Sequence, residues 1–429
     1  MAQNRNLSGC QIFHASELPE DWDCEPLKER LELAYGRALH EEDRRPGDVD
    51  VFGSNGRVGT HNVRWLDPPG VVVGRKGSIG SVHYAPRDFW PIDTAYYVKP
   101  QAGNNLRYLY YLLTYLRLDF LNAATGVPGL SRRDAYALRG AFPNPTEQAA
   151  IAHVLDAVDT ALERTRAAIA RARELDHSLL HDLLEKGLAP NRNGKGNQPA
   201  HWKLRRVDQV ADVGSGVTLG KDVSGFKSIE LPYLRVANVQ DGRLDLSEIK
   251  TVRVRVDEVE NFRLEIGDVL MTEGGDLDKL GRGTIWEGQI PNCLHQNHIF
   301  RIRANRDLLV PEFFSLVVES DIAKRYFNRV AKRTTNLAST NKTQVRAFQF
   351  PLPPTTDEQH QIAAIMKAAK AKLAALARKE QALTELKKSL MHDLLTGRVR
   401  VPLEQTSSAT HNAFPEQSET ADQLSTIPA

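Results

Sequence analysis

The sequence predicts an α+β fold: two α/β domains separated by an antiparallel two-helix coiled coil, with internal pseudo-two-fold symmetry. Three observations predict it. First, Glu147-Gln148 recurs as Glu358-Gln359, Ile151-Ala152 as Ile362-Ala363, and His181-Asp182-Leu183-Leu184 as His392-Asp393-Leu394-Leu395, always 211 residues apart, so a long stretch is duplicated without a gap. Second, both copies space their apolar residues by three and four, which lays one narrow apolar stripe along a helix, the pattern of a coiled coil. Third, the segment ahead of each copy is also echoed: Trp22, Leu27, Gly36 and Leu39 return as Trp202, Val207, Gly216 and Leu219, 180 residues apart.

Residues 1–145 form the first domain. A short helical piece is expected at Leu27–Leu39, then strands at Val49–Phe52, Val71–Val73, Ile79–Val82 and Ala95–Val98, which are short apolar runs between glycines. Arg107–Leu121 is apolar and aromatic at helical spacing and predicts one buried helix, followed by a glycine-containing loop at Thr125–Leu130. Residues 146–187 are the first long helix, with interface positions Ile151, Leu155, Val158, Leu162, Ile169, Leu179 and Leu183. Pro143 and Pro145 block its backward extension, Thr146 is the expected cap and Gly187 the expected end. Residues 188–200, rich in Gly, Asn and Pro, read as a linker.

Residues 201–354 repeat the first domain with about 31 more residues, mainly around Val239–Ile266, where TVRVRV alternates as a strand does. Gly70–Val73 is matched with Gly267–Leu270 and Pro91–Val98 with Pro291–Phe300, and Pro311–Asn328 predicts the second buried helix. Residues 355–400 are the second long helix, with interface positions Ile362, Met366, Leu373, Leu376, Leu383, Leu390 and Leu394, a cap at Thr356 or Asp357 and an end at Gly397. At about 1.5 Å per residue each helix is a rod of roughly 60 Å. Residues 401–429, rich in Ser, Thr and Gln, read as a disordered tail.

A net charge of +2 excludes a general polycation, so a nucleic-acid surface has to come from local clustering. The three cysteines, Cys10, Cys24 and Cys293, lack metal-ligand spacing and, being sparse and odd in number, argue for a reducing compartment and against a disulfide framework. There is no apolar run of membrane-spanning length and no signal core in MAQNRNLSGC, so a cytoplasmic protein with no membrane partner is expected.

The paired helices resemble those of the DNA specificity subunits of type I restriction-modification systems, the HsdS family. The resemblance rests on Pro143, Pro145, Glu147, Gln148, Ile151 and Ala152, their echo at Pro353, Pro354, Glu358, Gln359, Ile362 and Ala363, and the exit HDLLTGRVRV. Within the domains, Val51–Gly56 and Gly267–Arg303 also look like family segments. The resemblance implies two target-recognition domains, each reading half of a split sequence in double-stranded DNA. It implies helices that act as a ruler and dock two modification (methyltransferase) subunits, joined by restriction (translocase/nuclease) subunits. S-adenosylmethionine, ATP and magnesium are then expected on those partners and no cofactor in this chain.

No chemistry of the chain's own is expected. Asp67-Pro68-Pro69-Gly70 has glycine where an adenine methyltransferase needs an aromatic for the flipped base, and Gly70–Lys76 lacks the Gly-Lys-Ser/Thr of a P-loop. Asp268, Glu273, Asp276, Asp278 and Lys279 read as acidic turn residues and not a nuclease metal site, and His295 and His298 lack a third ligand. His181 and His392 read as structural or interface residues. No catalytic residue and no metal is assigned. Reading DNA needs polar forks at base edges and cations at phosphates. The candidates are Ser54, Asn55, Arg57, Arg75, Lys76, Arg132 and Arg133 in the first domain, and Lys221, Arg235, Asn238, Arg282, Lys332, Arg333, Asn341 and Lys342 in the second. Because the two domains differ in length and loops, an asymmetric bipartite target is expected. A methyltransferase or nuclease with built-in recognition, and a coiled-coil scaffold that binds no DNA, are the alternatives.

Overall fold

The computed structural model describes residues 18–121, 129–188, 201–275, 280–333 and 338–402. Cys10, Asp276, Asp278, Lys279, nearly all of the expected linker and tail, and most of the Thr125–Leu130 loop lie outside the described residues. The chain divides into two compact units, Met1–Arg166 with Lys379–Ala429, and Ala167–Arg378. Each unit thus holds one α/β domain, the near half of one long helix and the far half of the other.

The first unit contains β1 (Asp23–Pro26), β2 (Leu31–Tyr35), β3 (Val49–Gly53), β4 (Gly56–His61), β5 (Gly70–Gly74), β6 (Val82–Ala85), β7 (Phe89–Pro91), β8 (Ala95–Pro100), α1 (Leu106–Tyr115), α2 (Arg132–Ala137) and β9 (Arg139–Phe142), then α3 (Pro145–Lys186) as far as Arg166. Its sheets are β2-β8-β5-β6, β4-β3-β7 and β1-β9. Strand β5 reads GVVVG because both its faces are buried. Val71 and Val73 join Leu31, Leu33, Tyr108 and Leu112 in the main core, and Val72 faces Phe52 and Phe89. Ile151, Ala152 and Leu155 of α3, with Met391, Leu394 and Leu395 from the far end of the chain, belong to that same core.

The second unit repeats this plan with β10 (Lys203–Arg206), β11 (Ala211–Ser215), β12 (Ser228–Leu234), β13 (Val239–Gln240), β14 (Arg243–Leu244), β15 (Lys250–Arg255), α4 (Val259–Phe262), β16 (Val269–Thr272), β17 (Gly274–Gly275), β18 (Gly283–Ile285), β19 (Leu294–His295), β20 (Ile299–Ala304), α5 (Pro311–Glu319), α6 (Asp321–Val330), β21 (Lys332–Arg333), β22 (Ala338–Ser339), α7 (Lys342–Ala347), β23 (Gln349–Leu352) and α8 (Thr356–Leu395). The four-stranded sheet is β11-β20-β16-β18, the three-stranded one β15-β12-β19 and the pair β10-β23, strand for strand the order of the first unit. In both three-stranded sheets the central strand has one antiparallel and one parallel neighbour. Among the described residues the hairpin β13-β14 has no counterpart in the first unit, whereas the Gly274–Ser339 pair of the small sheet β17-β22-β21 matches the single Lys76–Gly129 bridge there.

Several expectations are corrected. Leu27–Leu39 is a single 3-10 turn, Leu27–Glu29, followed by strand β2; Leu31 and Leu33 enter the core by alternation, and the period of two prevails. The strand expected at Ile79–Val82 begins only at Val82, because Gly77 and Gly80 adopt positive φ in a turn. Helix α1 stops at Tyr115, before Arg117 at φ 51°, and Pro311–Asn328 is two helices broken at extended Ser320. The caps are Asn144, whose Oδ1 accepts from the Glu147 amide at 3.0 Å, and Thr355, whose Oγ1 accepts from the Glu358 amide at 3.4 Å, so Pro145 takes the first helical position that suits it. Strand pairing matches Val71 with Val269, not with Asp268: Val71 and Val73 point into one core as Val269 and Met271 do into the other. The same pairing sets Val98 opposite Leu33 and Ile302 opposite Val213, which moves the Pro91–Val98 match along the chain as well. Gly187 and Gly397 do end the helices, at φ 68° and 69°.

Within the first unit the helices run antiparallel. Asp159 pairs with Lys387 at 2.6 Å, and Arg166, one heptad on, pairs with Glu380, one heptad back, at 2.7 Å. In the second unit Leu180, Leu183 and Leu184 at the end of α3 share a core with Ile362 and Met366 at the start of α8. Buried positions along the stripe of α3 include Ile151, Leu155, Val158, Leu162, Thr165, Ile169, Leu180 and Leu183. Leu180 is the more buried residue near the expected Leu179, which is only half-buried. Leu373, Leu376, Leu383 and Leu390 of α8 are also half-buried, while Leu394 is buried.

Candidate nucleic-acid interface

The repeated Glu-Gln pair joins each domain to its helix. Trp22 Nε1 donates to Glu147, and Trp202 Nε1 to Glu358, both at 3.2 Å. Gln148 accepts from the Asn105 amide at the start of α1 and donates to Pro143 O and Asn104 Oδ1. Gln359 accepts from the Val310 amide at the start of α5 and donates to Leu308 O and Pro353 O. A helix start has orphan amides, and in both domains a buried glutamine from the long helix satisfies one. In the first unit Arg400 adds bonds to Asp21 and Glu147, and its guanidinium holds the Asp21 carboxyl below its ordinary range.

Several candidates of the first unit come together. Ser54 and Asn55 form the β3–β4 turn; the Ser54 carbonyl faces His83 Nε2 at 3.3 Å, and the Ser78 hydroxyl donates to Asn55 at 3.4 Å. Burial lowers the His83 pKa. Arg75 follows β5, and its guanidinium lies 5.2 Å from the ring of Tyr35; that of Arg132 lies 4.4 Å from the same ring. Tyr35 is 48% exposed, and its ring sits 5.2 Å from the buried ring of Tyr96. Lys76 bridges Gly129, so the Arg75–Lys76 strand end lies beside the entry to α2, where Ser131 is the cap and Arg132 and exposed Arg133 open the helix. Among the described residues no carboxylate pairs with Arg75, Lys76, Arg132 or Arg133. Arg57 differs: with Arg87 it flanks Asp50, which is 4% exposed, and so its charge is spent on folding.

In the second unit the candidates fall into three places. Lys332, Arg333, Asn341 and Lys342 lie around the small sheet β17-β22-β21 and the start of α7, the place that corresponds to Arg132. Lys332 and Arg333 are exposed, and Arg333 donates to Asn328 O. Asn341 is a helix cap, its Oδ1 accepting from the Gln344 amide at 2.9 Å, so its side chain serves the fold. Arg282 donates to Gln240 at 2.8 Å beside β13. Lys221 and Arg235 are tied to the β15-β12-β19 region, Lys221 to Glu258 and Arg235 to Glu248.

Asn238, expected at the DNA surface, lies in the interior. It is 3% exposed, its Oδ1 accepts from the Arg235 amide and its Nδ2 donates to Asp245 O and Glu248 O, so no base edge can reach it. The strand-end Tyr35 has little signature in the sequence beyond an aromatic beside Gly36 at the end of an alternating run.

The acidic stretch is divided up. Asp268 is buried against Arg303, and Glu273 pairs with His298 at 2.5 Å. His295 is fully buried with Nδ1 on Phe262 O, and burial lowers its pKa to about 4. Asp67 pairs with Arg64 in an exposed turn. His181 pairs with Glu185 of its own helix and His392 with the Tyr115 hydroxyl at 2.7 Å. Among the described residues no group of three metal-ligating side chains forms, and no helix is long and apolar enough to cross a membrane.

The chain thus carries two copies of one α/β plan, each with basic loops beside a helix cap. The family model for the type I restriction modification DNA specificity domain matches residues 19–170 and again 199–385. The chain belongs to that family. A specificity-domain match thus covers each half of the duplication. Among relatives, a protein of Methanocaldococcus jannaschii named as a type I restriction enzyme MjaX specificity subunit is 27% identical over 205 residues, 47% of each chain. The type I restriction enzyme EcoKI specificity subunit of Escherichia coli is 22% identical over 251 residues, 56% of this chain and 53% of that one. The chain therefore spans about half the length of these curated relatives. The type I restriction-modification system S subunit from M. genitalium shares the fold, with a TM-score of 0.61, 17% identity, and 92% of this chain and 98% of that one covered.

Proposed function

We propose that this chain is the DNA specificity subunit of a type I restriction-modification complex. It is non-catalytic and reads an asymmetric, bipartite target in double-stranded DNA, one half-site per α/β domain. Its paired helices set the spacing and dock two methyltransferase subunits, and restriction subunits join the assembly. S-adenosylmethionine, ATP and magnesium belong to those partners, and the complex works in the cytoplasm.

The observation that carries the reading is the double family match laid over a duplicated architecture. The unneutralised cations Arg75, Lys76, Arg132 and Arg133 support it, since cations on loops are what phosphates and base edges require. Selection of bound sites from random double-stranded DNA by the full chain with co-expressed partners tests it. Two unlike half-sites at a fixed gap are expected, with affinity falling steeply as salt rises. A perfect palindrome contradicts the asymmetric reading, and salt-independent or absent binding contradicts DNA recognition. Methyl transfer by the purified chain alone would place chemistry here.

A further inference from the structure

We infer that Arg75 in the first unit and Glu273 in the second occupy one equivalent base-reading position, and that Arg132 and Lys342 occupy one equivalent phosphate position. The inference rests on the DNA reading proposed above and deepens it.

The equivalence is set by backbone bonds. Tyr35 lies opposite Tyr96, and Tyr96 opposite Val73; Ser215 lies opposite Phe300, and Phe300 opposite Met271. Two residues on, the Arg75 amide donates to Thr94 O and the Glu273 amide to His298 O, each at 2.9 Å. The carbonyls accept in the same way, Arg75 O from the Leu130 amide at 2.8 Å and Glu273 O from the Thr340 amide at 2.7 Å. Leu130 and Thr340 each precede a helix-capping residue, Ser131 and Asn341, and the next residues are Arg132 and Lys342. The two backbones are thus held at the same points, and the side chains differ.

The pattern of difference carries the assignment. Phosphates are present on every sequence, so a residue that meets one keeps its positive charge whatever the half-site. Base edges present acceptors in one base and donors in another, so a residue that meets an edge has to change with the half-site. Arg132 and Lys342 keep the charge; Arg75 and Glu273 reverse it. Arg75 is held against Tyr35 and faces no carboxylate among the described residues, which leaves its fork for the O6 and N7 acceptors of guanine. The Glu273 carboxylate, oriented by His298, is an acceptor for the exocyclic amine of cytosine.

The test uses the full chain with its co-expressed partners and a randomised double-stranded DNA library, with the variants Arg75→Lys, Glu273→Gln and Arg132→Ala. Thermal melts confirm that each is folded, and Arg75→Lys keeps the charge while removing the fork. Arg75→Lys is expected to weaken the guanine preference at one base pair of one half-site about tenfold or more, with the other half-site unchanged. Glu273→Gln is expected to relax one base pair of the other half-site only. Arg132→Ala is expected to weaken all sequences alike and to flatten the salt slope by about 0.9. Uniform weakening by Arg75→Lys or Glu273→Gln overturns the inference while the specificity reading stands. A wild-type chain that selects no sequence overturns both.

Discussion

Replacing Gln148 with Met keeps the length and bulk of the side chain and removes its amide. Three groups then lose their partner, the part-buried Asn105 N–H at 2.8 Å and the buried Pro143 O at 2.8 Å and Asn104 Oδ1 at 2.9 Å. Leaving a buried polar group unsatisfied costs about 1–3 kcal/mol, and carbonyls with a second lone pair lie toward the low end. The sum is about 4 kcal/mol. For a unit of this size a loss of 1 kcal/mol lowers Tm by about 2–4 °C, so the melt of the affected unit should fall by about 8–16 °C. Hydrogen exchange followed by mass spectrometry separates the two copies. In Gln148→Met, protection in α1 (Leu106–Tyr115) should drop by roughly two to three powers of ten while α5 (Pro311–Glu319) stays at the wild-type rate. Gln359→Met should do the reverse, because the Val310 amide has the same dependence. If neither variant changes exchange at its own helix, the glutamines are not what joins domain to rod.

Three further outcomes are expected. Leu155→Asp or Leu162→Asp puts a carboxylate into a buried seam and should cost more than about 4 kcal/mol, with loss of partner binding and half-site spacing; unchanged spacing in site selection would end the ruler reading. Lys387→Met should destabilise by about 1–3 kcal/mol because it strands the half-buried Asp159 with Tyr111 alone, and the double change Asp159→Leu with Lys387→Met should recover most of that loss in urea melts. His295 has its folded pKa lowered to about 4 by burial, so on acidification the unfolded chain takes up this proton first. Stability should therefore fall from about pH 6.5 down to pH 4, by about 2–3 kcal/mol from this residue; denaturant midpoints of His295→Asn, compared at pH 7 and 4.5, should lack that share.

The long helices were legible because their spacing repeats over many turns, and a repeated signal averages out single exceptions. The exceptions themselves were not legible: Thr165, Glu380 and Lys387 occupy the stripe, yet each looks like an interruption until its position opposite a partner is known. Strand register was misread by one residue at Val71 because a fully buried strand such as GVVVG has no polar face to mark its phase. Leu27–Leu39 failed for a related reason, since two alternating leucines give too short a period to outweigh a helical composition. At the candidate site, residue type identified cations but not their obligations. Arg57 and Asn238 read like Arg75 and Asn55, and only tertiary neighbours separate a group consumed by Asp50, or buried on the Asp245 and Glu248 carbonyls, from an arginine that no carboxylate pairs with among the described residues and an asparagine in an exposed turn.

That Met391, Leu394, Leu395 and Arg400 complete the first unit has a bearing on synthesis. A ribosome emits the Leu155 stripe and then roughly 240 more residues, at about 5–20 per second, before the covering segment emerges. For some 10–50 s the nascent first domain carries a sticky, uncovered helix face, so pausing or truncation ahead of Met391 should harm the first unit as well as the second.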